Sequence, residues 1–246
     1  MKNLILILFC TTSLCVDAKS LTDTTKAGSS DDVKVTSFIL PAALITYGSM
    51  SFAVNPIRRF DYYIDGQLRP GINTTAATYL VFAPIVAVYG LNIAGVQGKH
   101  DFGDRTALLA LSVGFAGAFD LPLKHFVTRK DPGRTYSGSF PSGHTLGAFA
   151  AAEFLSEEYG DQSPVYTIAG YTVATATGFL RLYTHNHWFS EVVAGAGFGI
   201  ASTRLAYLIY PSIKRWFTHT DKAGRSTFVM PAYQDGMAGF SFAKTF

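Results

Sequence analysis

Cysteine is nearly absent from the 246 residues: Cys10 and Cys15 are the only two, and both lie in the apolar N-terminal stretch. If that stretch is removed no thiol remains, which excludes a disulfide framework, thiolate catalysis and a cysteine metal site. Charge is also scarce. Charged residues make up 15% of the chain against 48% hydrophobic, and the mean hydropathy is +0.21. That balance excludes a disordered chain and disfavours an ordinary soluble domain. The net charge of +3 and pI near 8.8 come from scattered basic residues with no long run, so no nucleic-acid partner is expected. The sequence has no internal repeat, no glycine-rich nucleotide loop and no metalloprotease helix motif. It also lacks the succession of alternating segments that builds an outer-membrane barrel.

What the sequence does contain is apolar and helical in character. Lys2 opens a short basic start, residues 4–16 are apolar, and Val16-Asp17-Ala18 offers a small-residue cleavage site, so a signal peptide over 1–18 is expected. An uncleaved anchor is the alternative, although that stretch is short for a full span. A polar segment, 19–34, follows. Residues 35–57 and 71–98 carry no charge and are each long enough to cross a bilayer. Residues 106–119, 162–180 and 192–203 are likewise uncharged, and 143–154 carry only Glu153. The expectation is an all-α, membrane-embedded bundle of six helices in one domain, 35–217, with a buried helix pair in a soluble all-α domain as the alternative. Ala148 to Ala152 and the run Ala194-Gly195-Ala196-Gly197 would let helix backbones approach closely, and Pro84 should kink the second segment. The polar tail, 218–246, with alternating Phe240, Phe242 and Phe246, reads as a loose extension or one short strand.

Polar residues gather in three clusters, each at the end of an apolar segment. The first, 124–134, carries Lys124, Arg129, Lys130 and Arg134 around Asp131-Pro132; it suits an anion, or lipid head groups at the interface. The second, Pro141-Ser142-Gly143-His144-Thr145, marks a helix start where Ser142 can cap and Gly143 lets a phosphate approach the N–H groups at the positive end of the helix. His144 would point at that phosphate, while Glu153 faces away and is left out of the site. The third runs from Arg181 through His185 and His187 to Glu191. His187 and Glu191 are four apart, so on a helix they share a face. The carboxylate can then accept from one imidazole nitrogen and leave the other free to attack. Metal ligation by His185 and His187 competes, but the two diverge on a helix and no third ligand is evident.

The order and spacing of the clusters, Lys124 with a basic run and Pro132, then Ser142-Gly143-His144, then Arg181, His187 and a carboxylate, resembles the type 2 phosphatidic acid phosphatase superfamily, whose fold is shared with vanadium haloperoxidases. The likeness covers 124–191 in its motifs and about 35–210 in its helix layout. It implies a metal-independent phosphatase, with no cofactor, that hydrolyses a lipid phosphate monoester or diphosphate. His187 would attack phosphorus to give a phosphohistidine, Glu191 would hold its ring, and His144 would protonate the leaving alkoxide. Lys124, Ser142, Gly143 and Arg181 would bind the phosphate. Three positions depart from the family pattern. Asp131 stands where an arginine usually precedes the proline, so Arg129 or Arg134 is expected to supply the missing guanidinium. Leu180 replaces a serine, and Glu191 replaces an aspartate. Asp131 also motivates a second reading, a non-catalytic membrane protein of the same fold that binds anionic lipid. A haloperoxidase is disfavoured by the chain's small size and its spans. The partners expected are a phosphorylated lipid and the inner membrane of a bacterial cell envelope, with the site facing the periplasm. Three spans before Lys124, and Arg58-Arg59 after the first, argue for the opposite side.

Overall fold

The computed structural model describes residues 35–68, 74–133, 137–220, 226–234 and 237–244. The expected signal peptide and polar segment, and Arg134, lie outside the described residues. The chain divides into two compact units, Met1–Ala206 and Tyr207–Phe246.

Among the described residues, the regular elements of the first unit are all helices. After a 3₁₀ turn, Val35–Phe38, come α1 (Ile39–Met50), α2 (Asn55–Gln67), α3 (Ala76–Leu80) and α4 (Ala83–Ile93). They are followed by α5 (Phe102–Phe126), α6 (Gly143–Tyr159), α7 (Pro164–Tyr183) and α8 (Phe189–Phe217), within which the division between the units falls. The first uncharged segment is not one helix: it breaks after Met50, and α2 leaves at 88° to the helix before it. Pro56 opens α2, where the missing N–H costs nothing. The second segment breaks at Val81 and Phe82, and Pro84 sits in the first turn of α4 rather than kinking a continuous helix; α3 and α4 still form one apolar run, Ala76–Ile93. Counting that run once gives the six expected helices plus α2. The third segment proves longer than its uncharged core: α5 has 25 residues, begun by Asp101, whose carboxylate accepts from Asp104 N at 2.8 Å. By length and composition, Ala76–Ile93, Phe102–Phe126 and Phe189–Trp216 can each cross a membrane, and α1 with α2 would make a fourth if that bent pair is one span.

α6 is the central helix. It packs against α4, α5 and α7, and its alanines Ala148 and Ala152 meet Ala174 of α7 with no exposed surface. Close approach to α8 rests on glycine. A Cβ on Gly199 would lie 2.3 Å from Leu146 O, and one on Gly195 would lie 2.7 Å from Ser142 O. These contacts bring the start of α8 against the start of α6. Behind them Val127, Phe140 and Ala194 form a small apolar core backed by Phe52, Leu123 and Phe198.

The second unit holds a three-stranded antiparallel sheet: β1 (Thr218–Thr220), β2 (Ser226–Gln234) and β3 (Met237–Lys244), in that order. The tail is therefore more regular than a loose extension or a single strand. β3 pairs with β2 over its whole length, with Gln234 opposite Met237, so Phe240 and Phe242 belong to a paired strand, while Phe246 lies outside the described residues.

Candidate active site

Lys124 lies in the last turn of α5, His144 in the first turn of α6, Arg181 near the end of α7, and His187 and Glu191 at the entry to α8. Helix ends suit candidate reacting groups because only there are backbone N–H groups and long side chains free of the apolar helix packing.

The His187 ring is held from behind. Its Nδ1 lies 3.1 Å from Glu191 Oε2, the i,i+4 pairing expected from the spacing. Two further donors converge on the same carboxylate oxygen, Ser139 Oγ at 2.5 Å and Trp188 N at 3.2 Å. Ser139 Oγ also sits 3.1 Å from Nδ1. Glu191 is fully buried and His187 is 8% exposed. With Glu191 ionised, Nδ1 carries the proton and the lone pair lies on Nε2, which has no hydrogen-bond partner among the described residues. Burial pushes the His187 imidazole below its ordinary pKa, the Glu191 hydrogen bond opposes this, and the charges of Arg181 and Lys124 add to the lowering. The ring is thus neutral at pH 7.

In front lie cations and the second histidine. Lys124 Nζ donates to Asp120 Oδ1 at 2.9 Å and to Pro141 O at 3.1 Å. A Cβ on Gly143 would lie 3.2 Å from that ammonium, so the glycine leaves its backbone open beside it. Ser142 occupies the position preceding α6 but does not cap it; its hydroxyl pairs with Thr145 Oγ1 at 2.9 Å. The first-turn N–H groups, Gly143's among them, therefore keep no intrahelical acceptor. Arg181 Nε is buried and without a hydrogen-bond partner among the described residues. His144 Nε2 is 3.2 Å from Thr78 Oγ1 of α3. Its pKa is lowered to about 4 by burial, by the charge of Arg181, by His187 when that ring is protonated, and by Lys124, with Asp120 opposing. The structure therefore brings together Lys124, Gly143, His144, Arg181, His187 and Glu191.

Arg129 is elsewhere. It lies on the Nδ1 side, with Nε 3.3 Å from Glu191 Oε1, Nη2 2.7 Å from Asp61 Oδ2, and Nη1 bonded to Ser51 and Ser190 at 2.8 and 3.0 Å. Its guanidinium stacks between Phe52 and Trp188. Asp131 is buried, at 4% exposure. His185 turns away from His187 and binds Asp65 at 2.5 Å, and among the described residues no three His, Cys, Asp or Glu side chains are grouped to hold a metal ion. Glu153, left out of the site from its helical phase, pairs with Arg204 and Tyr171. Sequence reasoning missed Ser139, Asp61 and Thr78. Ser139 alone had an available cue, its place just ahead of the Pro141-Ser142-Gly143-His144 turn.

Residues 105–215 match the family model of the PAP2 superfamily. A lipid A 1-phosphatase of Porphyromonas gingivalis is 38% identical over 133 residues, 54% of this chain, but the match spans only 30% of that protein's length. Two solved structures are similar in fold. A transmembrane PAP2-type phosphatidylglycerolphosphate phosphatase from Bacillus subtilis is 18% identical with a TM-score of 0.48, covering 74% of this chain and 99% of that one. LpxE of Aquifex aeolicus is 19% identical with a TM-score of 0.42, covering 66% and 93%. The matched segment contains all three polar clusters and the apolar helices α5 and α8. This chain is an integral membrane protein whose residues 105–215 are similar to the PAP2 superfamily.

Proposed function

We propose that the protein is a metal-independent phosphatase that hydrolyses a lipid phosphate monoester or diphosphate through a phosphohistidine. The observation that carries this reading is the His187–Glu191 pair, with Nδ1 held at 3.1 Å and Nε2 left unbonded beside Lys124, Arg181 and His144. His187 Nε2 attacks phosphorus and the bond to the leaving oxygen breaks. Glu191 stabilises the imidazolium that forms. Lys124, Arg181 and the Gly143 N–H hold the phosphate oxygens and offset the charge of the transition state; Ser142 joins them by giving up Thr145. His144 gives its proton to the leaving alkoxide and then takes one from the water that hydrolyses the phosphohistidine. Burial and the surrounding cations keep His144 neutral in the free enzyme, and a phosphate dianion opposes both effects, so that the acid is charged when substrate is bound. Arg129 serves this site from behind the nucleophile rather than as a phosphate ligand. Identity to a lipid A 1-phosphatase supports a phosphorylated lipid as substrate.

The periplasmic orientation gains support from the 88° bend. If α1 and α2 enter and leave on one side, only Ala76–Ile93 and Phe102–Phe126 cross before Lys124. The site then lies on the same side as an exported N-terminus.

The test is phosphate release from a panel of lipid phosphates by purified protein in detergent with EDTA, comparing wild type with His187→Ala. Release by wild type and none by the variant is the expected result. A folded wild type silent across the panel would instead favour the non-catalytic reading and point to Asp131 as the reason.

A further inference from the structure

Behind His187, the support includes one group from outside the matched motifs, Asp61 of α2. Its buried carboxylate, 1% exposed, accepts from Arg129 Nη2 at 2.7 Å, from Ser190 N at 2.8 Å and from Ser190 Oγ at 2.6 Å. Ser190 N is a first-turn amide of α8, so the carboxylate satisfies an orphan donor at the positive helix end. Arg129 bridges onward to Glu191, and Glu191 to His187. α2 also grips the loop with rings: Tyr62 meets Trp188 edge-on at 5.0 Å and Phe60 meets Phe189 at 5.3 Å.

We propose that Asp61 is a positioning residue of the reaction, acting through Arg129 and Ser190 to fix the Glu191 carboxylate against His187 Nδ1. This rests on the reading of His187 as nucleophile. A guanidinium 3.3 Å from Glu191 competes with the imidazole N–H for the carboxylate's charge. Asp61 takes up that guanidinium in a second ion pair, and Glu191 is left to orient the ring. The two bonds to Ser190 hold the turn that sets the spacing between His187 and Glu191. Charged and titratable groups bear on His187 from every side: Glu191, Arg129 and Asp61 behind, and Arg181, Lys124 and His144 in front. Only the Asp61–Arg129 pair can be neutralised without touching the phosphate cradle.

The experiment uses the full chain in detergent micelles, with a long-chain phosphatidate as probe, over pH 5 to 9. Asp61→Asn should lower kcat about tenfold or more with KM nearly unchanged, as misplacement of a reacting group does. It should also move the acidic limb of kcat/KM to lower pH, because a lost negative charge disfavours the imidazolium. Arg129→Gln should move the limb to higher pH, and the double variant should return it close to wild type with a kcat loss smaller than the product of the two single losses. Asp61→Glu should recover part of the rate. Unmoved limbs together with multiplicative losses would make Asp61 a structural residue only and overturn the inference. Should Asp61→Asn fail to fold, Arg129→Gln breaks the same link from the other side, and an unmoved limb there has the same meaning. Wild-type activity abolished by His187→Ala, with Asp61→Asn at full rate, refutes this inference alone; activity surviving in His187→Ala refutes the parent reading.

Discussion

The backbone N–H of Ser142 donates to the carbonyl of Glu191 over 3.2 Å, which ties the turn bearing His144 to the first turn of the helix bearing Glu191. Two groups that the sequence separates by a helical hairpin are thereby held by one backbone bond. Gly195 makes this possible, since a Cβ there would strike the Ser142 carbonyl. A phosphate between the two histidines would meet a cradle already set in both directions, and pre-set geometry is worth more to a reaction than any single contact.

Ser139 tests the support behind the proposed nucleophile. Its hydroxyl bonds both Glu191 and His187 Nδ1, and hydrogen bonds to a charged group contribute about 1.5–3 kcal/mol. Ser139→Ala should therefore lower kcat about tenfold while leaving KM for a lipid phosphate close to wild type. Steady-state kinetics in mixed micelles decide it, and a variant that changes KM alone would place Ser139 in front of the ring instead.

Arg181 should trade stability against binding. Its buried Nε lacks a partner among the described residues, a cost in the empty protein that an oxyanion would remove. Arg181→Met should unfold at the wild-type temperature or higher without ligand, yet lose the stabilisation that millimolar phosphate gives wild type. Thermal unfolding with and without inorganic phosphate measures both halves.

His144 carries the pH dependence. Its pKa in the folded protein, lowered to about 4, lies below the ordinary histidine value of 6.5. Between these values the unfolded chain binds more protons than the native one, so stability falls as pH drops from 6.5 towards 4. His187, lowered in the same direction, adds to the slope. The unfolding temperature of His144→Asn should fall less steeply than that of wild type over this window. Saturating phosphate should flatten the wild-type curve, because a bound anion restores the proton affinity of His144.

Gly138 should be intolerant of a side chain. Its φ of +83° is left-handed, and a Cβ would lie 2.6 Å from Lys124 O. The backbone conformation alone costs alanine about 1–2 kcal/mol, and the clash adds to it by pushing on Lys124, the proposed phosphate ligand. Gly138→Ala should lower the unfolding temperature by several degrees and raise KM; differential scanning fluorimetry and initial rates report the two effects separately.

At the far ends of α5 and α6, Glu158 is fully buried against Arg105 at 3.1 Å and His100 at 2.7 Å. Glu158→Gln should destabilise by about 3 kcal/mol or more, as loss of one buried partner does. KM should stay unchanged at temperatures where the variant remains folded.

Much of this was readable in one dimension, for reasons of periodicity. Uncharged stretches gave helices because apolar side chains in a membrane leave the backbone no other way to satisfy its polar groups. His187 and Glu191 meet because four residues make one helical turn. The Ala and Gly runs predict close helix packing, and Gly195 and Gly197 of those runs supply it. Helical phase turns Glu153 from His144, and it pairs with Arg204 and Tyr171.

What periodicity could not reach was any contact made across the bundle. Ser190 and Asp61 lie 129 residues apart, and His144 and Thr78 lie 66 apart; no local spacing encodes such pairs. Arg129 shows the same limit. Its charge and its nearness to Pro132 were plain in the sequence, but only the tertiary fold decided that it would lie behind the His187 ring, between Asp61 and Glu191, and not before it. A long flexible side chain follows the counter-charges it finds, and those were contributed by α2 and α8.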